Sequence, residues 1–216
     1  MQEKNLQLDR MVFFCDAVVA IAITLLVFNI KIDHTGDGHL RLRDVGSLWK
    51  QFAAFFLSFI NIANFWKIHH SFFAYIKKID EKLLWFNILW LLFIVLIPFS
   101  TSLVSAYFTD STAISLYSLN TLLVAVFQNN IWDYAATRKE FLKPDSIDEY
   151  NIWRMRLFCN LDMINAGVAI ILAHFSPTIA FILLLSKLPI ALIVGIKYRK
   201  HFHKNSQAQP SEPAEE

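Results

Sequence analysis

The chain alternates long apolar runs with short polar breaks, and the length of the runs decides the reading. Six runs, at 11–30, 46–68, 83–107, 111–132, 157–176 and 177–196, have the roughly 20 residues a helix needs to cross a hydrocarbon core about 30 Å thick. Transmembrane strands are shorter, about 9–11 residues, and alternate apolar with polar. These runs are apolar on every side, so they predict helices. Charges within them are few: Asp16 in the first, Lys50 and Lys67 in the second, Asp162 in the fifth and Lys187 in the sixth. Trp49, Trp66, Trp85, Tyr107, Trp132 and Tyr198 fall near predicted span ends, where amphipathic rings sit at a membrane interface.

The breaks give an orientation. Fourteen of the 20 Lys and Arg residues lie in the N-terminus, 69–82, 133–156 and 197–216, and only three lie in the breaks on the other side. Positive loops stay inside, so both termini are expected in the cytoplasm of a multi-pass cell-membrane protein. The first run is expected to be retained, because Lys31, Ile32 and Asp33 follow it where a signal peptide would carry small residues.

Composition narrows the picture. The chain is 56% hydrophobic, with 20 Phe against five Gly, which suits helices facing lipid. A net charge of +2 provides no basic field for nucleic acid. Cys15 and Cys159 both fall in apolar runs, and no disulfide between them is expected. There is no Gly-rich phosphate loop, no separate soluble domain and no evident internal repeat. The expected organisation is one transmembrane unit over 1–200 and a disordered cytoplasmic tail over 201–216, which is rich in Gln, Pro, Ser and Glu.

Ionisable residues at membrane depth need a partner or a wet cavity. Arg10 lies six residues from Asp16 and about 120° around the helix, too far off-face to pair with it. His69 and His70, at the same membrane side on the second span, are the expected partners of Asp16, which reads as a structural clamp or as a proton- or ion-handling acid. Asp162 and Lys187 flank the tight turn at Ser176–Pro177, roughly 21 and 15 Å along the two arms. They read as a buried pair or an ion site, with Pro189 expected to kink the sixth helix. His69 and His70 are adjacent, so their side chains diverge by about 100° and cannot close on one metal as an i, i+4 pair does. No metal, cofactor or nucleophile–base arrangement is expected, and the chain does not read as an enzyme.

The first run carries a narrow stripe. At about 100° per residue, Ala17, Ile21, Thr24 and Phe28 fall within about 60° of one another, and Leu25 borders them. Asp16 lies about 140° from Ile21, so it faces neighbouring helices. Periodicity alone leaves such a stripe as either a packing seam or a pore lining.

The residues around the stripe resemble a known family. Arg10-Met11-Val12-Phe13-Phe14-Cys15-Asp16 is similar to the first-helix signature of the transmembrane protein 175 potassium channels, which is Arg, three variable residues, then Phe-Ser-Asp. Arg10, Phe14 and Asp16 match, and Cys15 replaces the serine, weakening one hydroxyl hydrogen bond of the motif network. Leu57-Ser58-Phe59 with Trp66, His69 and His70 resembles the family's second helix, and Asn87 with Pro98-Phe99 resembles its third. The resemblance covers about the first hundred residues. It implies an all-α integral membrane protein with six transmembrane helices per subunit, the first helix lining a central pore in a homotetramer that passes K⁺ and other monovalent cations. By position, Ile21 corresponds to the family's main constriction, Thr24 to a threonine ring and Phe28 to a second apolar ring. Like the family, the chain lacks a Thr-Val-Gly-Tyr-Gly loop, so no filter of that carbonyl type is expected. Two other classes remain open: a proton-coupled carrier using Asp16 or the Asp162–Lys187 pair, and a haem or metal enzyme using His69 and His70.

Overall fold

Two polar residues of the second apolar run, Ser58 and Asn61, and His69 just beyond it share a buried helical face with apolar neighbours. Ser58, Asn61, Phe65, Ile68, His69 and Phe72 are all buried, at the three- and four-residue steps that place side chains on one helical face. That face is turned into a helical bundle, which is why this stretch can carry amides and imidazoles at membrane depth. The protein is described by a computed structural model covering residues 2–32, 39, 41–143 and 149–186.

Seven α-helices occur among the described residues. They are α1 (Gln2–Leu25), α2 (Leu42–Ser47), α3 (Trp49–Tyr75), α4 (Glu81–Ala106), α5 (Ser111–Ala136), α6 (Glu149–Phe175) and α7 (Pro177–Ser186). The only β pairing among these residues is an isolated antiparallel bridge between Ile76 and Leu142. Helix α5 packs chiefly on α4 and α6, and α1 packs on α4 and α3. Asp80 and Asp110 start α4 and α5 by accepting the Leu83 and Ala113 amides at 2.8 and 2.9 Å, each satisfying an otherwise orphaned helix N–H.

Four of the described helical stretches are long and apolar enough to cross a membrane: Leu6–Asn29, Glu81–Ala106, Ser111–Ala136 and Asn151–Phe175. Helix α3, at 27 residues, rises about 40 Å and is long enough, but its polar face keeps it out of that apolar set. It also runs seven residues beyond the expected end at Ile68. The sixth expected span is described only as Pro177–Ser186. Lys187, Pro189, Tyr198 and the tail 201–216 lie outside the described residues.

One of the expected interfacial aromatics is interior instead. Trp132 is fully buried, stacks on Phe72 at 4.8 Å and donates its indole N–H to the Ile152 carbonyl at 3.2 Å. Trp66 lies nine positions before the end of α3 and serves α1, as described below. Trp49, Trp85 and Tyr107 are exposed near helix ends, where such rings belong.

The loop between α5 and α6 folds back onto the bundle. Arg138 lies 3.8 Å from Asp80, Lys78 pairs with Glu140 at 3.1 Å, and the Tyr134 hydroxyl donates to Asp80 at 2.6 Å. Desolvation acts to raise the Asp80 carboxyl, but the Tyr134 hydroxyl, the Leu83 amide and the Arg138 guanidinium outweigh it and hold it below its ordinary value.

Candidate functional site: the outward face of the first helix

Helix α1 has two unlike faces. Leu8, Met11, Cys15, Val19, Ala22 and Leu26 are buried against the rest of the chain, again at three- and four-residue steps. The opposite face is largely uncovered by the described residues. Ile21 is 59% exposed and Phe28 70%, and Ala17, Thr24 and Leu25 are also exposed. All the predicted stripe residues therefore share the exposed side. Ile23, on the other side, packs against the core.

The stripe is not straight. The α-helix ends at Leu25, and Leu26–Asn29 form a 3₁₀ turn, which advances about 120° and 2.0 Å per residue. Phe28 is thereby turned about 60° from its α-helical position and lines up with Leu25 instead of Thr24, roughly 12 Å along the axis from Ile21. The sequence periodicity, carried on as an α-helix to residue 30, misses this turn. Tertiary contacts accompany it: Asn29 Nδ2 donates to the Pro98 carbonyl of α4 at 3.1 Å, and the Lys31 amide donates to Gln51 Oε1 at 2.7 Å. Thr24 Oγ1 donates to the Ile21 carbonyl at 2.8 Å, so its one proton is directed along its own helix.

Asp16 has a different partner from the one expected. Its carboxylate accepts the Trp66 indole N–H at 2.8 Å. His70 reaches Asp16 only at second hand, its ring 5.4 Å from the Trp66 ring. His69 points elsewhere: it is buried, lies 2.8 Å from Asn87 Oδ1 and stacks on Trp90 at 4.0 Å and 10°. Asn87 in turn donates to the Leu83 carbonyl at 2.9 Å. The physical reason is geometric. An indole N–H is a donor without an acceptor and reaches a carboxylate from one helix away, whereas His69 projects into the α3–α4 contact. The motif residues thus divide into two sets, Asp16 with Trp66 and His70, and His69 with Asn87. Cys15 is buried and free, as is Cys159. Arg10 and Phe14 are exposed.

Sequence reasoning missed a buried polar chain across α3, α4 and α5. Thr101 Oγ1 lies 2.7 Å from Ser58 Oγ, which lies 3.2 Å from the Tyr117 oxygen, and Asn61 Nδ2 donates to that oxygen at 2.8 Å. Ser58 and Asn61 at i, i+3 were the available signal, because two small polar residues on one face of an apolar helix mark a polar contact between helices. Asp162, expected beside Lys187, accepts from Asn64 Nδ2 at 3.3 Å.

Comparison with known proteins identifies the group to which this architecture belongs. A family profile described as "Endosomal/lysosomal potassium channel TMEM175" matches residues 10–98, which run from the N-terminal half of α1 to Pro98 of α4. A potassium channel of Chamaesiphon minutus is 34% identical over 142 residues, covering 62% of this chain and 68% of the relative. A potassium channel of Streptomyces collinus is 33% identical over 144 residues, covering 64% and 69%. This chain belongs to the TMEM175 family. Among solved structures, the crystal structure of a lysosomal potassium-selective channel TMEM175 homolog from Chamaesiphon minutus superimposes with a TM-score of 0.73 at 27% identity, over 86% of this chain and 98% of that one. The TMEM175 match spans the stripe, the Asp16–Trp66 contact and the His69–Asn87 contact together.

Proposed function

We propose that this chain is the subunit of a homotetrameric potassium-permeable channel in the cell membrane. In this reading it has six membrane spans, both termini in the cytoplasm, and a pore lined by the outward face of α1 from four copies. The observation that carries the proposal is the exposed face holding Ala17, Ile21, Thr24, Leu25 and Phe28, in a chain whose relatives are named potassium channels. A single narrow stripe cannot enclose a pore, so the lining comes from several copies. The strong inward charge bias of the sequence supports the orientation.

Each stripe residue then becomes a ring. Four Ile21 side chains offer no oxygen to replace the water around a cation, so they form the constriction and set its barrier. Thr24 sits one turn away. With its proton committed to the Ile21 carbonyl, the hydroxyl presents oxygen lone pairs to its surroundings and partly compensates an ion for lost water. Leu25 and Phe28, aligned by the 3₁₀ turn, form the outer apolar layer. Cys15, Asp16, Trp66 and His70 hold α1 in place, and His69 and Asn87 tie α3 to α4; with Arg10 and Phe14 they form the structural motif network of this reading and not the ion path.

The test is cation flux through purified protein in liposomes loaded in turn with K⁺, Na⁺ and Cs⁺. Wild type should pass K⁺ without saturating, substrate-coupled kinetics, and Ile21→Asn should raise conductance several-fold while narrowing the K⁺-over-Na⁺ difference. Saturable flux coupled to a co-substrate would favour a carrier. Unchanged permeation in Ile21→Asn would remove Ile21 from the pore.

A further inference from the structure

Two lysines far apart in sequence are brought to one cavity beside the first helix. The bridge between Ile76 and Leu142 seats the α5–α6 loop on the end of α3. The Lys77 amide donates to the Phe141 carbonyl at 2.8 Å, and the Lys143 amide donates to the Tyr75 carbonyl at 2.9 Å. The Lys143 ammonium also donates to the Ala74 carbonyl at 2.8 Å. The ion pairs Lys78–Glu140 and Arg138–Asp80 hold the same loop down. Between this assembly and the start of α1 lies a cavity of about 490 Å³.

Its composition is that of a headgroup site. Leu8, Val12, Phe73 and Ile76 supply apolar wall, and among the described lining residues Lys77 and Lys143 supply positive charge beside one carboxylate, Asp9. The volume lies within the range of pockets that take small molecules. The cavity is at the end of the bundle that carries the N-terminus, which the proposed orientation places at the cytoplasmic leaflet, where anionic lipids concentrate and basic pockets between membrane helices capture their headgroups. Phe13 also lines it, adding apolar surface beside the charged part, as a glycerol and acyl chain require and a free soluble anion does not.

We propose that this cavity binds the headgroup of an anionic phospholipid and that the bound lipid braces α1 against α3. The inference rests on the proposed orientation and channel role for its location and its consequence. The mechanical link is short: His70 lines the cavity, its ring lies 5.4 Å from Trp66, and Trp66 donates to Asp16 on α1. An occupant wedged between the helix ends therefore acts on the contact that positions the stripe.

The experiment uses the full chain. Native mass spectrometry after mixing with phosphatidylglycerol or phosphatidylcholine reads lipid retention, and K⁺ flux in vesicles with or without phosphatidylglycerol reads the consequence. Wild type should retain phosphatidylglycerol over phosphatidylcholine. The double variant Lys77→Gln, Lys143→Gln should lose roughly fivefold in retention per lysine, about 25-fold together, and its flux in anionic vesicles should fall to the wild-type level in neutral ones. Lys77→Glu alone should reproduce the loss, and Lys82→Gln, at the same end but outside the cavity, should leave both readings unchanged. Equal retention of the two lipids by wild type, unaltered retention in the double variant, or lipid-free tetramers in which a second copy fills the cavity would each overturn the proposal. If no protein passes K⁺ in any vesicle, the channel reading fails, while the retention data still judge the headgroup site.

Discussion

The two faces of α1 have similar hydrophobicity and opposite fates. Val19, Ala22 and Leu26 are apolar and buried within their own chain; Ile21, Leu25 and Phe28 are apolar and left exposed by the described residues. Hydropathy cannot separate them, because in a membrane an apolar side chain is as comfortable in lipid as in a packed interface. Polar anchors mark the inward side: Cys15 is buried beside Asp16, and Asp16 reaches Trp66. What distinguishes the outward face is a single hydroxyl, Thr24, held by its own helix at 2.8 Å from the Ile21 carbonyl. One face fixes the helix and the other, in the proposed channel, is left for a function that needs several copies.

If that division is right, substitutions on the two faces should separate cleanly in their readouts. The largest stability effect should come from Leu26→Ala, which opens a cavity where the 3₁₀ turn meets α3 and α4. We expect a loss of about 2 kcal/mol, the low end for such a truncation, because hydrocarbon around the protein reduces the transfer contribution and leaves mainly the cavity cost. Thermal denaturation in detergent measures it, and Ile21→Ala should stay within about 0.5 kcal/mol of wild type. Comparable losses at the two positions would break the comparison.

A smaller effect should follow from cutting the polar anchor. Trp66→Phe and Asp16→Asn both weaken a charge-assisted bond, at a cost of roughly 1.5 kcal/mol. Both should lower the fraction of assembled oligomer on size exclusion more than they alter the K⁺/Na⁺ ratio. Intact oligomers with changed selectivity would move Asp16 from the anchor into the permeation path. Smaller still, Thr24→Val should keep assembly and melting temperature within error, since the hydroxyl bonds only its own helix, while reducing K⁺ flux; unchanged flux would make Thr24 part of a seam.

The long helices were legible because twenty apolar residues in succession permit few alternatives, and the stripe on α1 followed from its three- and four-residue steps, which left open whether it was a packing seam or an outward face. The bend at Leu26 was not legible, because it accompanies contacts with Gln51 and Pro98, which are distant in sequence. The extent of α3 was underread because His69 and His70 look like a span boundary to hydropathy, whereas the helix runs on through them and buried His69 meets Asn87 on α4. Asp16 was rightly read as needing a partner from another helix. Its identity was missed because spacing gives faces and not reach, and an indole at position 66 reaches where an imidazole at 69 cannot.

The central claim is that the outward face of α1 lines an aqueous path, and cysteine accessibility tests it most directly. With native Cys15 and Cys159 replaced, single cysteines are placed at 21, 24, 25, 28 and 23, and K⁺ flux is followed during exposure to a small cationic thiol reagent. Modification at 21, 24 and 28 should block flux, 25 should respond in step with 28, and 23 should be silent. Block at 23 with no response at 21 and 28 would contradict the assignment, making the outward face a packing seam between subunits or with lipid.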